Sequence, residues 1–186
     1  MVPLVMASWF SHQYTVCVST FIVASITDFL DGYLARKLNV STKFGAFLDP
    51  VADKLMVATV LVLLSTFPVS NGIFQSCAVW LLPTLSIVII SREIMISALR
   101  EWTASLGPEA HRITAVSGTG KWKTATQMVA LTLLLLEKAI TASFSNTQVA
   151  ELVGSAGILL LILAALLTVW SLVQYFNQVW NYMRLE

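Results

Sequence analysis

The chain has 186 residues, 57% of them hydrophobic and only 11% charged, with a formal net charge of +1 and a mean hydropathy of +0.79. A soluble domain carries about a quarter of charged residues, so the composition points to an all-α, polytopic membrane helix bundle. The near-neutral balance excludes a broad basic surface for nucleic acid. The two cysteines, Cys17 and Cys77, show no metal or redox spacing and read as small buried hydrophobes.

In chain order, Met1–Trp9 is too short to span a bilayer and reads as a helical stub or an interfacial segment. It lacks a basic n-region and a small-residue cleavage site, so no cleavable signal peptide is expected. Candidate membrane helices follow at Tyr14–Lys37, Gly45–Phe67, Trp80–Trp102, Lys121–Leu136 and Gln148–Tyr182, the last longer than one span requires. Phe67–Gly72 and Ser143–Gln148 read as turns, and Gly107-Pro108 ends the third long helix. With no repeat and no second composition, residues 1–186 read as one integral-membrane domain.

Basic residues set the expected orientation. Arg36, Lys37 and Lys43 lie between the first two full spans, His111, Arg112, Lys121 and Lys123 between the third and fourth, and Arg184 at the end. Phe67–Val79 has no Lys or Arg, and the region after Leu136 offers only Lys138 beside Glu137. The positive-inside rule places the first set on the cytosol-equivalent side.

Four aspartates lie on that same side: Asp28, Asp31, Asp49 and Asp53. Unpaired and deep in a bilayer, they would together cost on the order of 10 kcal/mol, and acids inside membrane helices mark functional sites by default. Asp28 and Asp31 are three residues apart and Asp49 and Asp53 four apart, so each pair shares a helix face. A short loop is expected to fold the second long helix back against the first, bringing the pairs together. Carboxylates without His or Cys suit a hard divalent cation such as Mg²⁺ or Mn²⁺ rather than zinc. Gly32 on the same face permits close approach of a ligand to backbone, and Arg36 reaches a phosphate from the helix end. The structural alternatives are that Asp49 before Pro50 caps a helix and that Gly32 and Ala35 serve helix packing.

The spacing Asp28-x2-Asp31-Gly32-x2-Ala35-Arg36-x8-Gly45-x3-Asp49-x3-Asp53 resembles the signature of the CDP-alcohol phosphatidyltransferases at every fixed position. The resemblance extends through Phe44–Lys54, Ser91-Arg92-Glu93-Ile94, Ser97–Trp102 and Gly120–Met128, where the chain is similar to the phosphatidylglycerophosphate-forming branch of bacteria and plastids. It implies a six-helix fold whose first helix is truncated here. The family's N-terminal interfacial helix and most of its first span are expected to precede the point where this chain starts. It implies transfer of the phosphatidyl group of CDP-diacylglycerol to glycerol 3-phosphate, with release of CMP, in a homodimer embedded in membrane lipid. The membrane implied is a bacterial inner membrane or a plastid or mitochondrial inner membrane, with the site facing the cytosol, stroma or matrix. Asp28, Asp31, Asp49 and Asp53 are implied as ligands of two ions, Mg²⁺ or Mn²⁺, with Asp53 also the general base, and Gly32 and Arg36 as contacts to the CDP moiety.

An anionic acceptor needs cations nearby, and Arg92, Arg100, Lys121 and Lys123 are the candidates. Arg92 and Arg100, eight apart, roughly share a helix face. The alternative for these cations is topology or pairing with Glu93 and Glu101. His12 and His111 have no partner at catalytic spacing and read as interfacial or loop residues. Three other readings compete: a family member with another acceptor (inositol phosphate, serine or, in a cardiolipin synthase, phosphatidylglycerol), an inactive truncated form, and a cation transporter. A transporter would more naturally carry internal repeats and acids near the midplane, and the sequence has neither.

Overall fold

The computed structural model describes residues 1–38, 43–66, 74–107, 118–143 and 147–184. Among them every regular element is a helix: α1 (Val2–Phe10), α2 (Tyr14–Leu38), α3 (Lys43–Thr66), α4 (Gln75–Leu106), α5 (Gly118–Ser143) and α6 (Thr147–Met183). The five expected long helices are all present. The turn expected at Phe67–Gly72 lies outside the described residues, as do Pro108, His111, Arg112 and the centre of Ser143–Gln148.

Two boundaries differ from expectation, each for a local reason, and a third falls at the expected glycine. The third helix begins at Lys43, so Asp49 and Pro50 lie inside it and Asp49 is not its N-cap. The fifth helix runs to Ser143 rather than stopping at Leu136. Glu137 and Lys138, which break the hydropathy there, are buried within the helix at 0% and 8% exposure. Helix α4 ends where Gly107 takes φ +130°, a conformation that L side chains rarely adopt.

The helices close into a ring. In contact order, α1 packs on α2, α2 on α5, α5 on α6, α6 on α4, α4 on α3, and α3 back on α1, while α3 also reaches α5 across the middle. The loop expected to fold α3 back against α2 lies outside the described residues. Among the described residues α1 packs against both of them. It is a nine-residue helix, about 14 Å long, anchored by the buried Val5 and Trp9. Trp9 meets Tyr14 edge-on at 5.2 Å across the turn, where His12 adopts φ 56° and its Nδ1 lies 3.0 Å from the Tyr14 hydroxyl.

Val79–Leu106, Trp122–Ser143 and Gln148–Trp180 are long and apolar enough to cross a membrane. Helices α2 and α3, at 25 and 24 residues, match a bilayer in length but carry the aspartates. Buried leucines and isoleucines such as Leu61, Leu82, Ile89, Leu131 and Leu161 form the core, while Ile87, Ile94, Leu152 and Leu166 point outward. An apolar exterior of this kind fits lipid, so the molecule is a membrane helix bundle. Inside it, hydroxyls find acceptors on their own helix: Ser25 donates to Phe21 O at 2.8 Å and Thr168 to Ala164 O at 2.6 Å. Exposed Trp80 and Trp102 on α4 are separated by about 33 Å of helix, close to the thickness of a hydrocarbon layer, where tryptophans mark the two interfaces.

The longest interhelical seam, α5 with α6, depends on small residues. A Cβ on Gly157 would lie 2.9 Å from Leu134 Cγ and Cδ2 and 3.3 Å from Leu133 Cβ. Gly157→Val is therefore expected to destabilise the bundle by about 1–3 kcal/mol through overpacking, read as a lower thermal midpoint of the detergent-purified protein. The exposed Leu159→Val on the same helix provides the reference, with little change expected.

Candidate active site

The ring places one end of each long helix at the same level. Helices α2, α4 and α6 arrive there with their C-terminal halves, and α3 and α5 leave from it. Asp28 on α2 and Asp53 on α3 face a common cavity of about 330 Å³. Ala24 and Ala52 keep its walls thin, and Met1, Val2 and Pro3 complete it. Asp28 and Asp31 are exposed and Asp53 is half-buried, so these acids open outward and are not sealed in an apolar core. For Asp28 and Asp31 that exposure lowers the desolvation cost of carrying a charge.

The side chains of Gly32, Arg36, Asp49 and Lys121 lie outside the described residues. Among the described residues no three His, Cys, Asp or Glu groups converge as a preformed metal cage. What is present among them is an oxygen-only donor pair, Asp28 and Asp53, on one open cavity. That chemistry fits a hard divalent cation and does not fit zinc.

Behind the acids lies a charged network that ties four helices together. Glu93 on α4 accepts with one carboxylate oxygen from two cations: Arg92 Nη1 at 3.1 Å, and Lys123 Nζ from α5. Arg92 and Lys123 are 7% and 4% exposed. Arg92 Nη2 also donates to Ser171 Oγ on α6 at 2.7 Å. Lys54 on α3 donates to Ser97 Oγ, which in turn donates to Glu93 O at 2.7 Å. Asp53 lies within electrostatic reach of Asp28, Glu93, Lys54 and Lys123. Acids and cations thus alternate from the cavity inward, which lets each charge be held in low dielectric by neighbours of opposite sign.

Arg100, two turns further along α4, belongs to a second group. Its Nη2 donates to Tyr175 Oη on α6 at 3.1 Å, and its guanidinium carbon sits 5.6 Å from the centre of the Tyr175 ring. The expectation that Arg92 and Arg100 share a face agrees with both reaching α6, at Ser171 and Tyr175, four residues apart. Of the four expected acceptor-side cations, Arg92 and Lys123 join the Glu93 network and Arg100 stands apart with Tyr175. Sequence reasoning missed Ser97, Ser171, Tyr175 and the depth of Glu93. Hydroxyls in apolar helices carry no spacing signal, and only the packing of α4 on α6 brings Ser171 and Tyr175 to the arginines.

Glu93→Ala would leave two buried cations without their shared carboxylate. The expected loss is about 3–5 kcal/mol, seen as a large drop in thermal midpoint in detergent. Glu101→Ala on the exposed face of the same helix is expected to change it little.

The family model for CDP-alcohol phosphatidyltransferase matches residues 1–176. CDP-diacylglycerol–glycerol-3-phosphate 3-phosphatidyltransferase 2 of Arabidopsis thaliana is 46% identical over 97% of this chain and 75% of its own length. The CDP-diacylglycerol–glycerol-3-phosphate 3-phosphatidyltransferase of Haemophilus influenzae is 49% identical over 83% of this chain and 72% of its own. A cardiolipin synthase (CMP-forming) of Oryza sativa subsp. japonica is 45% identical over 97% of this chain, and the chain spans only 54% of that protein. No solved structure matches. The motif of aspartates, the helical bundle and these relatives agree: the chain belongs to the CDP-alcohol phosphatidyltransferase family.

Proposed function

We propose that the chain transfers the phosphatidyl group of CDP-diacylglycerol to glycerol 3-phosphate, giving phosphatidylglycerophosphate and CMP in phosphatidylglycerol synthesis. The observation that carries this reading is the shared cavity of Asp28 and Asp53, set in membrane helices beside a reserve of cations. Relatives from a plant and a bacterium that carry the matching enzyme name support it.

The family generally uses divalent metals. In this reading Asp28, Asp31, Asp49 and Asp53 hold two ions, Mg²⁺ or Mn²⁺. Bound there, the metal neutralises the pyrophosphate and the charge on the attacking and leaving oxygens. Gly32 and Arg36 contact the CDP moiety, with glycine admitting the ligand close to backbone. The acceptor hydroxyl oxygen bonds to the phosphorus that carries the diacylglycerol. The bond from that phosphorus to the CMP oxygen breaks, and the hydroxyl proton passes to Asp53. Arg100 and Lys121 contact the acceptor phosphate, while Arg92 and Lys123 supply positive field from behind.

The lipid donor enters from the bilayer and the soluble acceptor from the side marked by basic residues. That side is the cytosol, or the stroma or matrix of an organelle, for a multi-pass protein of a bacterial, plastid or mitochondrial inner membrane. A single catalytic domain over residues 1–186, working as a homodimer, completes the reading. The rice relative supports a second one, in which the same chemistry uses the hydroxyl of phosphatidylglycerol and forms cardiolipin. CMP release by the purified protein, with CDP-diacylglycerol and either glycerol 3-phosphate or phosphatidylglycerol, decides between them. Release with neither acceptor above background overturns both.

Two outcomes are expected from that assay. Activity disappears in excess chelator and returns with Mg²⁺ or Mn²⁺, and Asp28→Asn loses it strongly at any metal concentration. Full turnover after verified metal removal contradicts this. For Asp53→Asn, donor binding survives in weakened form while kcat falls by about 10²–10⁴-fold, the usual loss for a general base. Recovery of the single-turnover rate by added metal would instead make Asp53 chiefly a ligand.

A further inference from the structure

We infer that Tyr175 of α6 is the positioning residue for Arg100, fixing the plane in which that guanidinium meets the phosphate of the acceptor. The inference rests on the proposed transferase reading and extends it to a helix that carries none of the signature residues.

Three observations combine. Arg100 is held twice by one side chain: Nη2 donates to Tyr175 Oη at 3.1 Å, and the guanidinium lies 5.6 Å from the centre of the same ring. The ring restrains where the group sits and the hydroxyl restrains its rotation, so the planar fork is oriented before any ligand arrives. Arg100 Nε is buried and has no acceptor among the described residues, although a buried guanidinium donor ordinarily finds one. A bound anion supplies that acceptor. Finally, Arg100 has no acidic partner among the described ion pairs, in contrast to Arg92, which shares Glu93 with Lys123. Its charge is accordingly available to a phosphate monoester.

Tyr175 itself buries to 4% exposure. It touches Arg100 and acts through it, so its removal should disturb acceptor binding and leave the donor unaffected. Steady-state CMP release by the full chain, purified in detergent, reads this out. With glycerol 3-phosphate varied, Tyr175→Leu is expected to raise the acceptor KM about tenfold or more, with donor KM and kcat within about twofold of the unsubstituted protein. Tyr175→Phe retains the ring and loses only the hydroxyl, so it should recover most of the affinity and show about a threefold rise. In an Arg100→Gln background, where nothing is left to orient, adding Tyr175→Leu should cost nothing further.

Wild-type acceptor KM in Tyr175→Leu, or equal losses for donor and acceptor, overturns the inference while leaving the transferase reading in place. So does a Tyr175→Leu penalty that persists undiminished beside Arg100→Gln. If the unsubstituted chain releases no CMP with glycerol 3-phosphate, the reading and the inference fall together. If Tyr175→Leu does not fold, as judged by its thermal midpoint, Tyr175→Phe carries the decision: an unchanged acceptor KM overturns the role of the hydroxyl and with it the inference.

Discussion

Glu93 holds two buried cations on a single carboxylate oxygen, and the arrangement of the site depends on that junction. It lies about 13 Å along α4 from the exposed Trp102, well inside the hydrocarbon depth of the bilayer. At that depth a lone Arg or Lys is costly, and a carboxylate between them offsets both. The three members come from two helices, and Arg92 extends the link to a third through Ser171. Removing the acid would strand charge in a medium that cannot solvate it. The junction is therefore a strong local constraint on how α4, α5 and α6 meet.

From that constraint the rest of the polar end follows. Ser97 carries the network from α4 to Lys54, and Lys54 adjoins Asp53 in sequence. The orientation of α3 at the cavity is thereby coupled to the buried cations rather than left to apolar packing, which is poorly directional between lipid-facing helices. At the opposite end, Ser65 and Ser86 join α3 to α4 at 3.0 Å within the apolar core. The same helix pair is thus fixed by polar contacts at both levels. Asp28 and Asp31 stay exposed and Asp53 is half-buried, and the deepest burial falls on groups that can neutralise one another.

Much of this was legible in the chain. The start of α2 at Tyr14 follows from the first sustained apolar run, and the end of α4 follows from Gly107, whose positive φ explains the residue type. Of the aspartates singled out by their spacing, Asp28 and Asp53 line the cavity, while Asp31 is exposed and outside its lining. Reading failed where polarity was taken as a sign of exposure. Glu137 and Lys138 look like a helix end, yet α5 buries both, and Thr141 donates to Glu137 O at 2.8 Å. The sequence was silent where the answer depended on a third element. Nothing in the short run Met1–Trp9 says that α1 packs against both α2 and α3.

The two arginines of α4 show how far spacing goes and where packing takes over. Their eight-residue interval places Arg92 and Arg100 on nearly the same face, which makes them look equivalent. Helix α6 separates them. Ser171 is small and leaves room for Arg92 to keep Glu93, whereas Tyr175 supplies a ring and a hydroxyl and no negative charge. Two side chains one turn apart on an apolar helix therefore give identical residues different electrostatic states, one neutralised in the interior and the other held in place without an acidic partner among the described residues. A neutral aromatic partner is suited to that second task. A carboxylate at position 175 would orient Arg100 equally well but would neutralise its charge.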